Sequence, residues 1–150
     1  MALQVGEKAP SIEAKDQDGN IVKLSDFQGK KVVLYFYPKD DTPGCTAQAC
    51  SLRDNYAALL AKGYAVLGVS ADGEKSHKKF ANKYSLPFPL LADPEHNILE
   101  AYHVWAEKSM YGKTYMGIVR TTFIIDENTV IQEIISKVDT KNHAEQVLIN

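Results

Sequence analysis

The sequence predicts an α/β protein: a mixed central sheet flanked by helices, with a small β-hairpin ahead of it. Three features point there. Two runs, VVLYFY (32–37) and YAVLGVSA (64–71), are continuously apolar and rich in β-branched or aromatic residues, as strands covered on both faces are. The stretches that follow them carry apolar residues at helical spacing. Later, TTFIID (121–126) and residues 130–135 read as an antiparallel pair around a Glu127-Asn128 turn. Strand, helix, strand, helix, strand, then a hairpin and a helix is the order of a layered α/β sandwich.

Each element has its own warrant. In SIEAKDQDGNIVKL (11–24), Asp18-Gly19-Asn20 supply turn chemistry between runs that contain Ile12 and Ile21, hence the hairpin. Ser25-Asp26-Phe27 begins a short helical turn. The strand 32–37 ends at Pro38. A helix is expected from about Pro43 to Lys62, with Leu52, Tyr56, Leu59 and Leu60 on one stripe and Gly63 as its stop. The strand 64–71 comes next, then a helix over 74–85 with Phe80 and Tyr84 four apart. A short strand over 88–92, a helix over 95–102, the strand pair and a closing helix over 141–149 complete the chain. No internal repeat or Pro/Gly/Ser linker interrupts it, so residues 1–150 are expected to form one domain.

Bulk composition narrows the function classes. With 150 residues, 45% hydrophobic, 24% charged and a formal net charge of −2, the chain suits a soluble globular protein. It has no electrostatic reason to seek nucleic acid or an anionic membrane. The basic run EKSHKK (74–79) is read as a solvated helix face. No apolar stretch approaches the ~20 residues that span a bilayer, and the first residues lack a signal-peptide pattern. A cytoplasmic address is therefore expected, where two cysteines serve more often in catalysis or ligation than in a staple.

Both cysteines fall in PKDDTPGCTAQAC (38–50), just past the carboxyl end of the first long strand, where sites of open α/β sheets gather. Thr42 is a suitable N-cap and Pro43 suits the first helical position. Cys45 then lies in the first turn, where free N–H groups favour an anionic sulfur, the reactive form. A helix terminus contributes only about 0.3–1 kcal/mol, so a nearby cation is also needed. The chain has just two arginines, Arg53 and Arg120. Arg53 would lie eight residues along the same helix, about 12 Å up its axis. Arg120 opens a separate strand and is the better candidate; a surface ion pair is its plainer reading.

Cys45 and Cys50 are five positions apart. On a helix their Cα atoms would lie roughly 8.7 Å apart, whereas a disulfide wants at most about 6.8 Å. Bonding them requires the first turn or two to unwind, and Pro43 and Gly44 weaken that end. The helix thus keeps the thiols apart until Cys45 has reacted with something else. Once oxidised to a sulfenic acid it can condense with a second thiol, and Cys50 is the one candidate within the chain. The plainer reading of Cys50 is a small buried hydrophobe.

At these residues the sequence resembles the peroxiredoxins. The pattern Pro-x-x-x-Thr-x-x-Cys is met by Pro38, Thr42 and Cys45. FYPKDDTPGCTAQAC is similar to the bacterioferritin comigratory protein branch, also called peroxiredoxin Q. GEKAP, LSDFQGKKVVLYFYP, LGVSAD, FPLLADP and MYGKTYMGIVRTTFIID extend the likeness along nearly the whole chain. The resemblance implies a thioredoxin-like fold and a thiol peroxidase of the atypical two-cysteine kind, acting on hydrogen peroxide and organic hydroperoxides. It makes Cys45 the peroxidatic thiol and Cys50 the resolving one, joined in an intrachain disulfide. It gives Arg120 the binding of thiolate and peroxide, Thr42 a hydroxyl in the same network, and Pro38 the shielding of the sulfur. Gln48 falls where the family often carries a residue that orients the arginine. Thioredoxin or a similar dithiol would regenerate the enzyme, with no metal or organic cofactor, in a protein expected to be a monomer.

Other readings carry less. A thioredoxin-type disulfide oxidoreductase uses Cys-x-x-Cys, a different spacing. A metal module needs clustered ligands, but His77, His96, His103 and His143 are scattered. A redox-regulated interaction protein fits helix unwinding but names no client. Trp105, Tyr111, Tyr115 and Met116 read as packing around a loop, or more sharply as an apolar wall for bulky hydroperoxides. Asp40 and Asp41 read as loop residues that complement the helix dipole.

Overall fold

The computed structural model describes residues 2–149; Met1 and Asn150, the ends of the expected 1–150 domain, lie outside the described residues. Strands β1 (Glu13–Lys15) and β2 (Ile21–Lys23) form the expected hairpin. Its turn is built by Asp16, whose Oδ1 accepts the N–H groups of Asp18 (2.9 Å) and Asn20 (3.0 Å). A 3₁₀ turn, Leu24–Phe27, leads into β3 (Lys31–Phe36). Then come α1 (Pro43–Asp54), α2 (Tyr56–Ala61), β4 (Tyr64–Ser70), α3 (Glu74–Tyr84), β5 (Leu90–Ala92) and α4 (Asn97–Ala101). The chain continues with β6 (Trp105–Met110), β7 (Lys113–Ile118), β8 (Thr121–Ile125), β9 (Ile131–Ile135) and α5 (His143–Leu148).

The central sheet has the order β5-β4-β3-β8-β9. β3 pairs parallel to β4 and antiparallel to β8, so the sheet is mixed as expected. Successive β3 residues point to opposite faces, and both faces are covered. Val32, Leu34 and Phe36 join one cluster with Leu67, Leu99, Tyr102 and Phe123. Val33, Tyr35 and Tyr37 join the other with Cys45, Leu52, Leu59, Phe80 and Val147. This two-sided burial is why the strand reads as an unbroken apolar run. Each such side chain contributes about 1.5–3 kcal/mol.

Four expectations change in detail. The helix expected over 43–62 breaks at Asn55 (φ −110°, ψ 16°), whose side-chain amide donates to the Ser51 carbonyl. Asparagine competes with the helix for backbone partners in this way. The strand expected from Phe88 starts at Leu90, and the helix expected over 95–102 spans Asn97–Ala101 behind a left-handed His96. The largest difference is at 105–118. The segment read as a loop is an antiparallel ribbon, β6–β7, closed by Tyr111 and Gly112, both at positive φ. Paired positive-φ residues match the twist of a tight hairpin. Among the described residues no helix is long and apolar enough to cross a membrane.

Candidate active site

The loop 38–42 leaves the carboxyl end of β3 and turns into α1. Pro43 occupies the start of the helix and Thr42 stands before it in extended conformation (φ −97°, ψ 156°). The side-chain cap expected of Thr42 is not made. Its hydroxyl donates instead to the Lys39 carbonyl (2.9 Å), which tightens the loop rather than feeding a network at Cys45. Pro38 is half-buried beside β3.

Cys45 is 1% exposed, on the inner face of the first turn of α1. Arg120, between β7 and β8, brings its guanidinium to the sulfur: Nη2 donates to Sγ at 3.3 Å. Nη1 donates to Gln48 Oε1 at 2.6 Å, and Gln48 is itself fully buried, one turn after Cys45. The fork of the guanidinium thus spans a sulfur and an amide, which fixes its plane. Gly44 leaves room for this: a β-carbon there would lie 3.2 Å from Nη2. Arg53 is engaged elsewhere, donating to the Tyr84 carbonyl (2.7 Å) and pairing with Asp54. Of the two arginines, geometry selects Arg120.

Around this pair lie buried polar atoms. The Gln48 Nε2 and the Tyr35 hydroxyl have no hydrogen-bond partner among the described residues. Burial first, then the charges at Cys45 and Asp40, pushes the Tyr35 phenol well above its ordinary range, so it stays neutral. Cys50 lies further along α1, partly exposed, and both thiols are free. Beyond it, Ser51 Oγ accepts the backbone N–H of Ala144 (3.0 Å), tying α1 to α5. On α5, His143 Nδ1 donates to Gln146 while Thr122, two residues after Arg120, donates to Nε2 (2.8 Å each). Burial drives the His143 pKa below its usual value; the Gln146 bond opposes this and the Arg120 charge adds to it.

Two sequence readings are corrected. Asp40 is not a solvated dipole complement; it is 8% exposed and accepts hydrogen bonds from Tyr37, Ser76 and His77. His77, placed on a solvated face, is 0% exposed. The signal was present: His77, Phe80, Ala81 and Tyr84 share one helical stripe, and the three flanking lysines masked it. Asp41 does stay exposed, paired with Lys83. The apolar wall is not assembled at Cys45. Trp105 stacks on His96 (3.9 Å) and packs with the cluster on the opposite face of the sheet, and Tyr111 is 98% exposed.

Comparison with known proteins identifies the family. The AhpC/TSA family model matches residues 5–134. Peroxiredoxin Bcp of Bacillus subtilis is 47% identical over 148 residues, covering 99% of this chain and 94% of the relative. A Xylella fastidiosa PrxQ cysteine-to-serine mutant superposes with a TM-score of 0.93 at 33% identity, over 99% of this chain and 95% of the other. A Xanthomonas campestris bacterioferritin comigratory protein, studied for its alkyl peroxide reduction activity, gives 0.90 at 33% identity, over 97% and 96%. Full-length similarity at this level, on a thioredoxin-like scaffold, places the chain in the AhpC/TSA family, in its Bcp/peroxiredoxin Q branch of thiol-dependent peroxidases.

Proposed function

We propose that Cys45 is the sulfur that peroxide oxidises and that Arg120 is its electrostatic partner. The contact that carries this reading is the 3.3 Å approach of Arg120 Nη2 to Cys45 Sγ, with Gln48 holding the other guanidinium nitrogen. The helix start and the guanidinium both favour negative charge at that point. The thiolate attacks one peroxide oxygen; the S–O bond forms as the O–O bond breaks. The leaving oxygen departs with the electron pair, takes a proton and becomes water or an alcohol. Charge grows on that oxygen in the transition state, where preorganised donors act most strongly. Pro38 and the buried lining keep water from competing.

Cys45 is left as a sulfenic acid. Cys50, having given up its proton, attacks that sulfur; the S–O bond breaks, the departing hydroxide takes up a proton to leave as water, and an intrachain disulfide forms. The first turns of α1 unwind for this step, up to the Ser51 anchor on α5. Thioredoxin or a similar dithiol then supplies two electrons and two protons, and α1 rewinds. Resolution within one chain makes no demand on a second copy, so the protein acts as a single-domain monomer. Dithiol recycling suits the cytoplasm. Substrates are hydrogen peroxide and organic hydroperoxides, in keeping with the alkyl peroxide reduction studied in the Xanthomonas relative.

Rapid-mixing kinetics on Arg120→Ala test the assignment. Loss of one preorganised donor costs about 10²–10³-fold. The peroxide step should slow by that order, while reduction of the preformed disulfide stays near wild type. Equal slowing of both steps would contradict the role given to Arg120.

A further inference from the structure

We propose that His77 is a positioning residue for the peroxide step: it shares a buried proton with Asp40 and thereby fixes the loop that aims Cys45. The proposal rests on the reading of Cys45 as the peroxide-attacking sulfur.

Hydrogen-bond logic places the proton. His77 Nε2 lies 3.0 Å from the Leu91 carbonyl oxygen. A carbonyl oxygen only accepts, so Nε2 carries a hydrogen. The other nitrogen, Nδ1, lies 2.7 Å from Asp40 Oδ2. Were Nδ1 bare and Asp40 ionised, two lone pairs would face each other at that distance in a buried site. A proton therefore sits between them. The remaining partners of Asp40 are donors: the Tyr37 hydroxyl to Oδ1 (2.6 Å) and the Ser76 hydroxyl to Oδ2 (2.7 Å). Burial, with the Asp40 carboxylate adding to it, raises the Tyr37 phenol well above its usual range, which keeps it a donor.

The same helix grips the next loop residue. Asp41 holds a left-handed backbone (φ 57°) and accepts from Lys83 Nζ (2.8 Å) and the Tyr84 hydroxyl (2.9 Å). Residues 76–77 and 83–84 lie two helical turns apart on α3, so two consecutive aspartates are clamped at two points about 10 Å apart. Asp72 closes the clamp from the third side: its Oδ2 accepts the Asp40 N–H (2.8 Å) and the Ser70 hydroxyl (2.7 Å). Asp40, Asp72 and His77 offer ligand atoms within 4.8 Å of one another. Hydrogen-bond partners already engage those oxygens and both ring nitrogens, so the cluster is a clamp rather than a cation site.

The clamp matters because α1 begins two residues after Asp41 and must unwind and rewind in every cycle. A fixed entry returns Cys45 to the same place each time. Misplacing a reacting group by about 1 Å can cost about 10²-fold in rate.

Two variants separate positioning from bulk stability. In His77→Asn the side-chain amide sits where Nδ1 was and keeps the donor to Asp40. In His77→Gln the amide sits where Nε2 was, keeps the bond to Leu91 and leaves Asp40 one donor short. Both lose one buried hydrogen bond. Rapid-quench oxidation by hydrogen peroxide and reduction of the preformed disulfide by dithiothreitol are then measured on both.

Asparagine should stay within about threefold of wild type, and glutamine should slow the peroxide step about tenfold or more, with disulfide reduction near wild type for both. Equal slowing of the two variants, in step with their loss of thermal stability, would overturn the proposal. If the variants do not fold, nitrogen-edited proton spectra of the wild type decide. The proton held between His77 Nδ1 and Asp40 Oδ2 should resonate far downfield; the absence of that resonance overturns the proposal. Retention of peroxide consumption by Cys45→Ser would defeat the reading of Cys45 itself, whatever the two His77 variants do.

Discussion

Gly44 shows how finely the sulfur and its cation are fitted. Its missing side chain is the space through which the Arg120 guanidinium reaches Cys45; an added methyl would meet Nη2 at 3.2 Å. Alanine improves helix propensity over glycine by up to about 1 kcal/mol. Gly44→Ala should therefore leave the melting temperature unchanged or raise it slightly, yet slow peroxide oxidation about three- to tenfold through displacement of the guanidinium. Calorimetry and rapid-mixing kinetics on one preparation check this. A variant that loses stability and rate together would mean the methyl disturbs the fold as a whole, not the guanidinium alone. The same precision explains why Gln48 is fully buried: it holds the second arm of Arg120 at 2.6 Å and so sets the direction of the first.

Elements, rather than single residues, decide how much of this could be read from the chain. The β3 strand and the start of α1 were legible because the physics is local: an unbroken apolar run, then a proline and a first-turn cysteine. The choice between Arg53 and Arg120 was legible from helix rise alone. The β6–β7 ribbon was not. WAEKSM and KTYMGI are mostly exposed on both faces, so no apolar alternation marks them as strands. Asp40 and His77 were hidden for a related reason: their burial is set by the distance between two elements, a quantity the local pattern does not contain.

The α5–β8 junction carries a pH dependence of the same non-local origin. Burial lowers the His143 pKa in the folded state, whereas an unfolded histidine titrates near about 6.5. Below that value the unfolded chain binds a proton that the folded one refuses, so this residue makes stability fall as pH drops. The urea midpoint should fall between about pH 7.5 and 5.5, and His143→Gln should reduce that fall. An unchanged slope in the variant would show that His143 does not contribute.

At the scale of the whole molecule, the sheet order β5-β4-β3-β8-β9 puts the centre of the fold under the site. β3 supplies the loop and the entry to α1; Arg120 immediately precedes its antiparallel neighbour β8, whose first residue, Thr121, pairs with Phe36. Cys45 and Arg120 are thus brought together by two neighbouring strands that are buried along their whole paired length. At its far end α1 is tied to α5, where Ser51 Oγ accepts the Ala144 N–H. The proposed two-thiol cycle needs α1 to unwind toward that tie while Arg120 keeps its place.

Intact-mass and peptide mapping under non-reducing conditions, after one equivalent of hydrogen peroxide, test the central claim most directly. The account predicts a single chain lighter by two hydrogens, with the peptides that contain Cys45 and Cys50 joined. Peroxide consumed while Cys45 remains a free thiol would contradict it, and so would oxidation that ends in a dimer linked between chains.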